Sequence, residues 1–230
     1  RIIKKLKIQI PEYCIAKNYE EIINFSEIAQ FPVLVRPSYV LGGRAMQIVY
    51  NKEQLVDYVF RSAEATNDHP ILIDQFIENA FEFDVDALCD GEEVFIAGIM
   101  QHIEEAGVHS GDSSCVLPPY DMSSKVKKDI IDMTTKLALE LNVVGLINLQ
   151  FAVKNNEVYV LEVNPRSSRT VPFVSKYSNV PIANIAAQLS VGKKIRDFNL
   201  KENHFNHTAV KKAVLPFKKF TDEKVFLGPE

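Results

Sequence analysis

The chain has 230 residues, 47% of them hydrophobic and 24% charged, a globular composition with enough apolar mass for a sizeable core. A formal net charge of −4, with lysines and arginines scattered along the chain, leaves no basic footprint for nucleic acid, and no apolar run approaches the roughly 18 residues of a membrane helix. Cys14, Cys89 and Cys115 are far apart and form no CxxC pair, so they read as incidental thiols of a reduced, cytoplasmic protein.

Helix and strand patterns alternate along the chain, placing it in the α/β or α+β class. It opens at Arg1 with no signal segment and stops at Leu227-Gly228-Pro229-Glu230, in what reads as mid-turn; both ends are expected to be cuts in a longer polypeptide. Residues 19–30 carry Ile22, Ile23 and Ile28 at helical spacing, and 33–35 form a short strand. The loop Pro37-Ser38-Tyr39-Val40-Leu41-Gly42-Gly43-Arg44 breaks both periods before a strand at 46–50 and a helix at 52–65. Strands follow at 71–74, 82–89 and 94–102, the last two joined at Asp90-Gly91, a strong hairpin signal. Residues 107–114 are polar and glycine-rich. Val126, Ile130, Leu137 and Leu141 mark a long helix, 146–153 and 158–163 a second hairpin around Asn155-Asn156, and 182–191 a final helix. The expected division is a first subdomain at about 20–76, a second at 77–192, and a C-terminal extension at 193–230.

Five groups of residues could carry chemistry. Gly42 and Gly43 let the backbone approach a ligand, and Arg36 and Arg44 supply charge suited to phosphate; an ordinary turn flanked by solvated arginines is the simpler reading of that loop alone. Glu82, Asp84 and Asp86 alternate on one strand face, which is ordinarily a solvated face, and Asp84 and Asp86 are read that way. Asn148 and Gln150 share one face of their strand, and Glu162 and Asn164 one face of the partner. Oxygen ligands of this kind suit Mg²⁺. A two-residue loop at Asn155-Asn156 would, however, pair Gln150 with Leu161 and leave Glu162 on the opposite face. A shared ion therefore demands a three-residue loop or a bulge. Arg166 and Arg169 follow directly and could stabilise a transferring phosphoryl group, or serve as surface salt bridges. His109 and Ser110, between Gly107 and Gly111, suggest backbone that approaches something closely, although a lone loop histidine is weak evidence.

In this order the pieces resemble the ATP-grasp domain of carbamoyl-phosphate synthetase large subunits. The matching words are Arg36-Pro-Ser-Tyr-Val-Leu-Gly-Gly-Arg-Ala-Met46, Gly107-Val-His-Ser-Gly-Asp112, Asn148-Leu-Gln-Phe-Ala-Val-Lys-Asn-Asn-Glu-Val-Tyr159 and Glu162-Val-Asn-Pro-Arg-Ser-Ser-Arg-Thr-Val-Pro-Phe173. The resemblance runs from about Pro11 to Glu230 and is to the second, carbamate-phosphorylating half. It implies an ATP-grasp fold, two subdomains with antiparallel sheets and flanking helices gripping ATP, in a ligase that turns carbamate and ATP into carbamoyl phosphate and ADP. It also implies a glutaminase small subunit and further large-subunit domains as partners, and service to arginine and pyrimidine biosynthesis.

Residue by residue, the resemblance places ATP phosphates on Arg36, Gly42 and Gly43, adenine on Gln75, Phe76 and Ile77, and ribose on Glu82. Gly107, Val108, His109 and Ser110 would line the nucleotide site. Gln150, Glu162 and Asn164 would ligate Mg²⁺ or Mn²⁺, and Arg166 and Arg169 would face the phosphoryl acceptor. Gln75 departs from the basic residue the family often has there. The resemblance also implies an arginine-bearing subdomain upstream of this segment, so this segment alone is expected to bind nucleotide without completing synthesis. Biotin carboxylases, the nearest rival, typically follow the metal Asn with Arg and a Val-Glu-His element. Here the chain continues Pro165-Arg166-Ser167-Ser168-Arg169. A non-catalytic nucleotide-binding module is the other rival, and the intact Glu162-Val-Asn-Pro-Arg word argues against it.

Overall fold

The computed structural model describes residues 1–28, 30–37, 46–63, 70–104, 106, 113–201 and 206–214. They form two compact units, one of Arg1–Ile10 with the chain from Asn79 onward, the other of Pro11–Glu78.

In the smaller unit, β1 (Tyr13–Ala16), β2 (Val33–Pro37), β3 (Gln47–Val49) and β4 (Ile71–Gln75) make an antiparallel sheet in the order β1-β4-β2-β3. Two helices, α2 (Tyr19–Ile28) and α3 (Lys52–Ala63), follow polar caps. Asn18 accepts from the Glu21 N–H at 2.9 Å and Asn51 from the Gln54 N–H at 2.9 Å. In return the Glu21 and Gln54 side chains accept from the backbone N–H just before each cap, a capping-box-like reciprocity that fixes both helix starts. Period-two alternation buries Ala16, Val33, Val35, Val49, Ile71 and Ile73 against Ile22 of α2 and Leu55, Tyr58 and Val59 of α3.

The larger unit begins with a short helix, α1 (Ile2–Leu6). Its sheet comprises β5 (Phe81–Asp90), β6 (Val94–His102), β7 (Cys115–Leu117), β8 (Val144–Lys154), β9 (Glu157–Asn164) and β10 (Ala209–Lys211), in the order β10-β7-β6-β5-β8-β9. Phe83, Val85, Ile147, Leu149 and Phe151 pack with Val126, Ile130 and Leu137 of α4 (Ser124–Glu140). Leu88, Met100 and Leu117 pack with Val174 of α5 (Val171–Ser178) and with Ile182 and Leu189 of α6 (Ile182–Ser190). A Cβ on Gly98 would lie 2.7 Å from Val174 Cγ1 and 3.1 Å from Leu117 Cδ1, so close seating of α5 on β6 requires glycine there.

The sequence pattern did not reveal α1, β1, β7, α5, β10 or a 3₁₀ turn at Ile195–Phe198. Pro172 sits in the first turn of α5, where its missing N–H is harmless. No helix of the described residues is long and apolar enough to cross a membrane.

Candidate functional site

Two bulges decide which side chains meet on the polar face of the larger sheet. Asn155 and Asn156, both at positive φ (53° and 61°), close the β8–β9 hairpin as a two-residue turn, which starts the ladder in the register that would pair Gln150 with Leu161. The ladder slips between Gln150 and Phe151. Phe151 pairs with Val160, Gln150 pairs with Glu162, and Leu161 is the extra residue. A shared Gln150–Glu162 site demands either a three-residue loop or a bulge, and the hairpin has the bulge. The result is a row Asp84–Gln150–Glu162 across three strands, with Asp86–Asn148–Asn164 as the next row. Glu162 is exposed, and Gln150 and Asn164 are half-buried.

The second bulge lies between Asp86 and Ala87 in the β5–β6 ladder. Without it His102 would oppose Phe81 on the other face. With it Asp84 pairs with Met100, and His102 comes round beside Glu82 and Asp84. The His102 ring is fully buried. Nε2 is 2.8 Å from Asp84 Oδ2, Nδ1 is 3.1 Å from Ser113 Oγ, and Glu82 Oε1 is 3.8 Å from Nδ1. Burial alone would lower its pKa. The hydrogen bonds to Asp84 and Cys115 and the Glu82 charge overcome that and raise it to about 10, so the ring is an imidazolium at neutral pH.

The solvated reading of Asp84 and Asp86 is overturned: both are 0% exposed. Neighbouring strands and the segment after β9 supply enough polar partners to keep them dry. Asn148 Nδ2 donates to Asp84 Oδ1 at 3.3 Å and to Asp86 Oδ1 at 3.0 Å. Ser168 Oγ donates to Asp86 Oδ1 at 2.7 Å, and Thr170 Oγ1 to Asp86 Oδ2 at 2.6 Å. Burial pushes the Asp86 carboxyl up, and the Thr170, Ser168 and Asn148 donors pull it back. Sequence reasoning missed His102, Ser168 and Thr170 as members of this face. An alternating polar pattern around 82–86 was visible, but which residues face it depends on the two bulges.

Arg166 and Arg169 lie in the turn after β9, both exposed. The Arg166 guanidinium folds back, donating to Asn164 Oδ1 at 3.2 Å and to the Ser167 carbonyl at 2.9 Å. Glu82 is 4% exposed. In the smaller unit Arg36 Nη2 is 2.8 Å from Asp74 Oδ2; burial raises the Asp74 pKa and the arginine opposes it. Gln75, Phe76 and Ile77 continue from β4, half-buried, with the Gln75 and Phe76 N–H groups bonded to the Glu12 and Pro32 carbonyls. The sheet face opposite the helices carries both exposed and half-buried residues. Tyr13 (45% exposed) and Ile15 (52%) share it with Leu34, Ile48, Leu72, Arg36 and Asp74. Gly42, Gly43, Gly107, Val108, His109 and Ser110 lie outside the described residues. No group of three or more His, Cys, Asp or Glu that could hold a metal occurs among the described residues. Gln150, Glu162 and Asn164 together offer one carboxylate and two amide oxygens instead.

Residues 1–198 match the family described as carbamoyl-phosphate synthase L chain, ATP binding domain. Over its whole length the chain is 57% identical to a carbamoyl phosphate synthase large chain of Archaeoglobus fulgidus and 54% to that of Methanobrevibacter smithii, covering 21% and 22% of them. It is 48% identical to the C-terminal section of the Methanocaldococcus jannaschii large chain, of which it covers 39%. The chain thus spans about a fifth of the length of the full large chains it matches. Among solved structures it resembles the biotin carboxylase domain of a Hydrogenobacter thermophilus 2-oxoglutarate carboxylase, solved with MgADP, ADP and bicarbonate (TM-score 0.75, 19% identity, 91% of this chain and 47% of that one). It also resembles a Campylobacter jejuni biotin carboxylase complexed with β,γ-ATP (TM-score 0.73, 17% identity, 84% and 45%). Likeness at such low identity speaks to the fold, whereas the specific sequence match decides between the two ligase families. The chain has the ATP-grasp fold and belongs to the family of carbamoyl-phosphate synthase large-chain ATP-binding domains.

Proposed function

We propose that this chain is the ATP-binding domain of the second half of a carbamoyl-phosphate synthase large chain, where the γ-phosphoryl group of ATP passes to carbamate. The observation that carries this reading is the β9 bulge. It sets Gln150 and Glu162 side by side, with Asn164 one row on and the Arg166–Arg169 turn immediately after. The likeness to a relative that is itself a C-terminal section supports the second-half assignment.

Glu162, Gln150 and Asn164 would hold Mg²⁺ or Mn²⁺. Their oxygen donors and partial exposure fit a hard cation that keeps waters and shares phosphate oxygens. A cation held there would supply positive charge beside the β- and γ-phosphates. Asn164 then either shares its oxygen with Arg166 or gives that hydrogen bond up. Arg36, Gly42 and Gly43 hold ATP phosphates; Gln75 and Ile77 flank adenine; Glu82 takes the ribose hydroxyls. Gly107, Val108, His109 and Ser110 line the nucleotide. Arg166 and Arg169 orient the carbamate and offset the charge spread over the phosphoryl group while a carbamate oxygen displaces ADP.

On this reading a glutaminase subunit supplies ammonia to a glutamine-hydrolysing synthase in the cytoplasm, feeding arginine and pyrimidine biosynthesis. The segment alone binds nucleotide but does not complete synthesis. In the intact enzyme, Glu162→Ala lowers carbamoyl-phosphate formation by about 100-fold or more, since several kcal/mol of charge stabilisation are lost, while the urea unfolding midpoint stays put. Normal output from that variant refutes the assigned role.

A further inference from the structure

Asp86 has no role in the mechanism above, yet three side chains, one from β8 and two from the turn after β9, end on its carboxylate. Ser168 Oγ and Asn148 Nδ2 donate to Oδ1, and Thr170 Oγ1 donates to Oδ2. The two hydroxyl oxygens are 2.7 Å apart, and the Thr170 N–H donates to Ser168 Oγ at 3.2 Å. A carboxylate is the one short side chain that can accept from all of these donors at once. Among the described residues its hydrogen-bond partners are all neutral, and no cation there forms an ion pair with it. Merely filling the space would be done with less penalty by an apolar side chain.

What the carboxylate grips is informative. Ser168 and Thr170 bracket Arg169 in sequence. Thr170 also starts α5, its carbonyl accepting from the Phe173 and Val174 N–H groups at 3.0 Å each. At the other end, the Arg166 N–H is tied to the Asn164 carbonyl at 2.8 Å. The exposed arginine turn is therefore anchored at both ends, to β9 and to the floor strand β5. Exposed long side chains act in a defined geometry only when the backbone beneath them is held.

We propose that Asp86 is a positioning residue for phosphoryl transfer: through Ser168 and Thr170 it clamps the turn that presents Arg169 to the acceptor. This rests on the reading of Arg166 and Arg169 as acceptor-facing groups. Asn148, which touches both Asp84 and Asp86, ties the clamp to the strand that carries Gln150.

The test uses the intact enzyme run in reverse, following ATP formed from MgADP and carbamoyl phosphate. In that direction the phosphoryl group leaves the carbamate oxygen for the β-phosphate of ADP. Asp86→Asn preserves volume but replaces one acceptor oxygen with a donor. Thr170→Val removes one hydroxyl isosterically, and Thr170→Ser restores it. The clamp predicts that Asp86→Asn and Thr170→Val lower kcat/KM for carbamoyl phosphate about 10- to 100-fold, with MgADP affinity within about threefold of wild type and Thr170→Ser near wild type. Three results overturn it. They are unchanged kcat/KM in Asp86→Asn and Thr170→Val, a parallel loss of MgADP affinity and turnover, or a Thr170→Ser variant as impaired as Thr170→Val. A wild type that forms no ATP from carbamoyl phosphate instead sinks the functional reading, and the clamp with it. An active wild type beside an equally active Asp86→Asn variant sinks the clamp alone.

Discussion

His102 and Asp84 illustrate how much one buried residue pair can set. Each is fully buried, and their 2.8 Å contact is the short link between the β6 end and the middle of β5. Removing one partner of such a pair leaves the other charged and dry, a larger loss than the pair's own net worth. Asp84→Asn is therefore expected to cost about 3 kcal/mol of stability at pH 7, read by urea unfolding. A loss below about 1 kcal/mol would mean that His102 finds compensation elsewhere, in Glu82 or Ser113. In the sequence, Asp84 is legible only as part of an alternating acidic strand. Nothing local says that His102, 18 residues away, will cover it. Gln150, Glu162 and Asn164 were legible as an oxygen-donor set because their spacing repeats the strand period, whereas the residues that keep the neighbouring acids dry come from other segments.

At the scale of elements, the hairpins were legible and their registers were not. Asp90-Gly91 and Asn155-Asn156 announce turns through residues that tolerate positive φ, and α4 and α6 announce themselves by apolar spacing. A bulge has no comparable local signature, yet each of the two flips every side chain beyond it to the other face. Requiring Gln150 and Glu162 to meet leaves a three-residue loop and a bulge both open, and does not choose between them. Gly98 is the second element-scale device, since its missing Cβ lets Val174 of α5 sit on β6. Gly98→Val should destabilise the protein by about 2 kcal/mol through overpacking, read as a lower urea midpoint. Adding Val174→Ala in the same chain should return part of that loss. An unchanged midpoint in Gly98→Val would show that α5 shifts freely, and would weaken the case that Thr170, at the head of α5, is rigidly held.

For the molecule as a whole, the division of labour is between apolar cores that hold each unit together and a polar face that folding must desolvate. The cores were readable from periodicity; the polar face has a consequence visible only in bulk stability. His102 carries a proton in the folded protein up to about pH 10, whereas the unfolded chain releases it near 6.5. Between those values the folded state binds more protons than the unfolded state, so raising pH favours unfolding. The stabilisation is complete below about pH 6.5, declines by up to about 1.4 kcal/mol per pH unit as pH rises, and is gone above the folded value. Asp86 and Asp74, both shifted upward, act on the acid side of that window, and Cys89, Tyr159 and Tyr177 on the alkaline side. Comparing wild type with His102→Asn isolates the histidine. Urea midpoints measured from pH 6 to 10 should slope downward more steeply in wild type, the two curves converging toward the alkaline end. Parallel curves would mean that His102 is neutral in the fold, and that the Asp84 contact is an ordinary hydrogen bond rather than an ion pair.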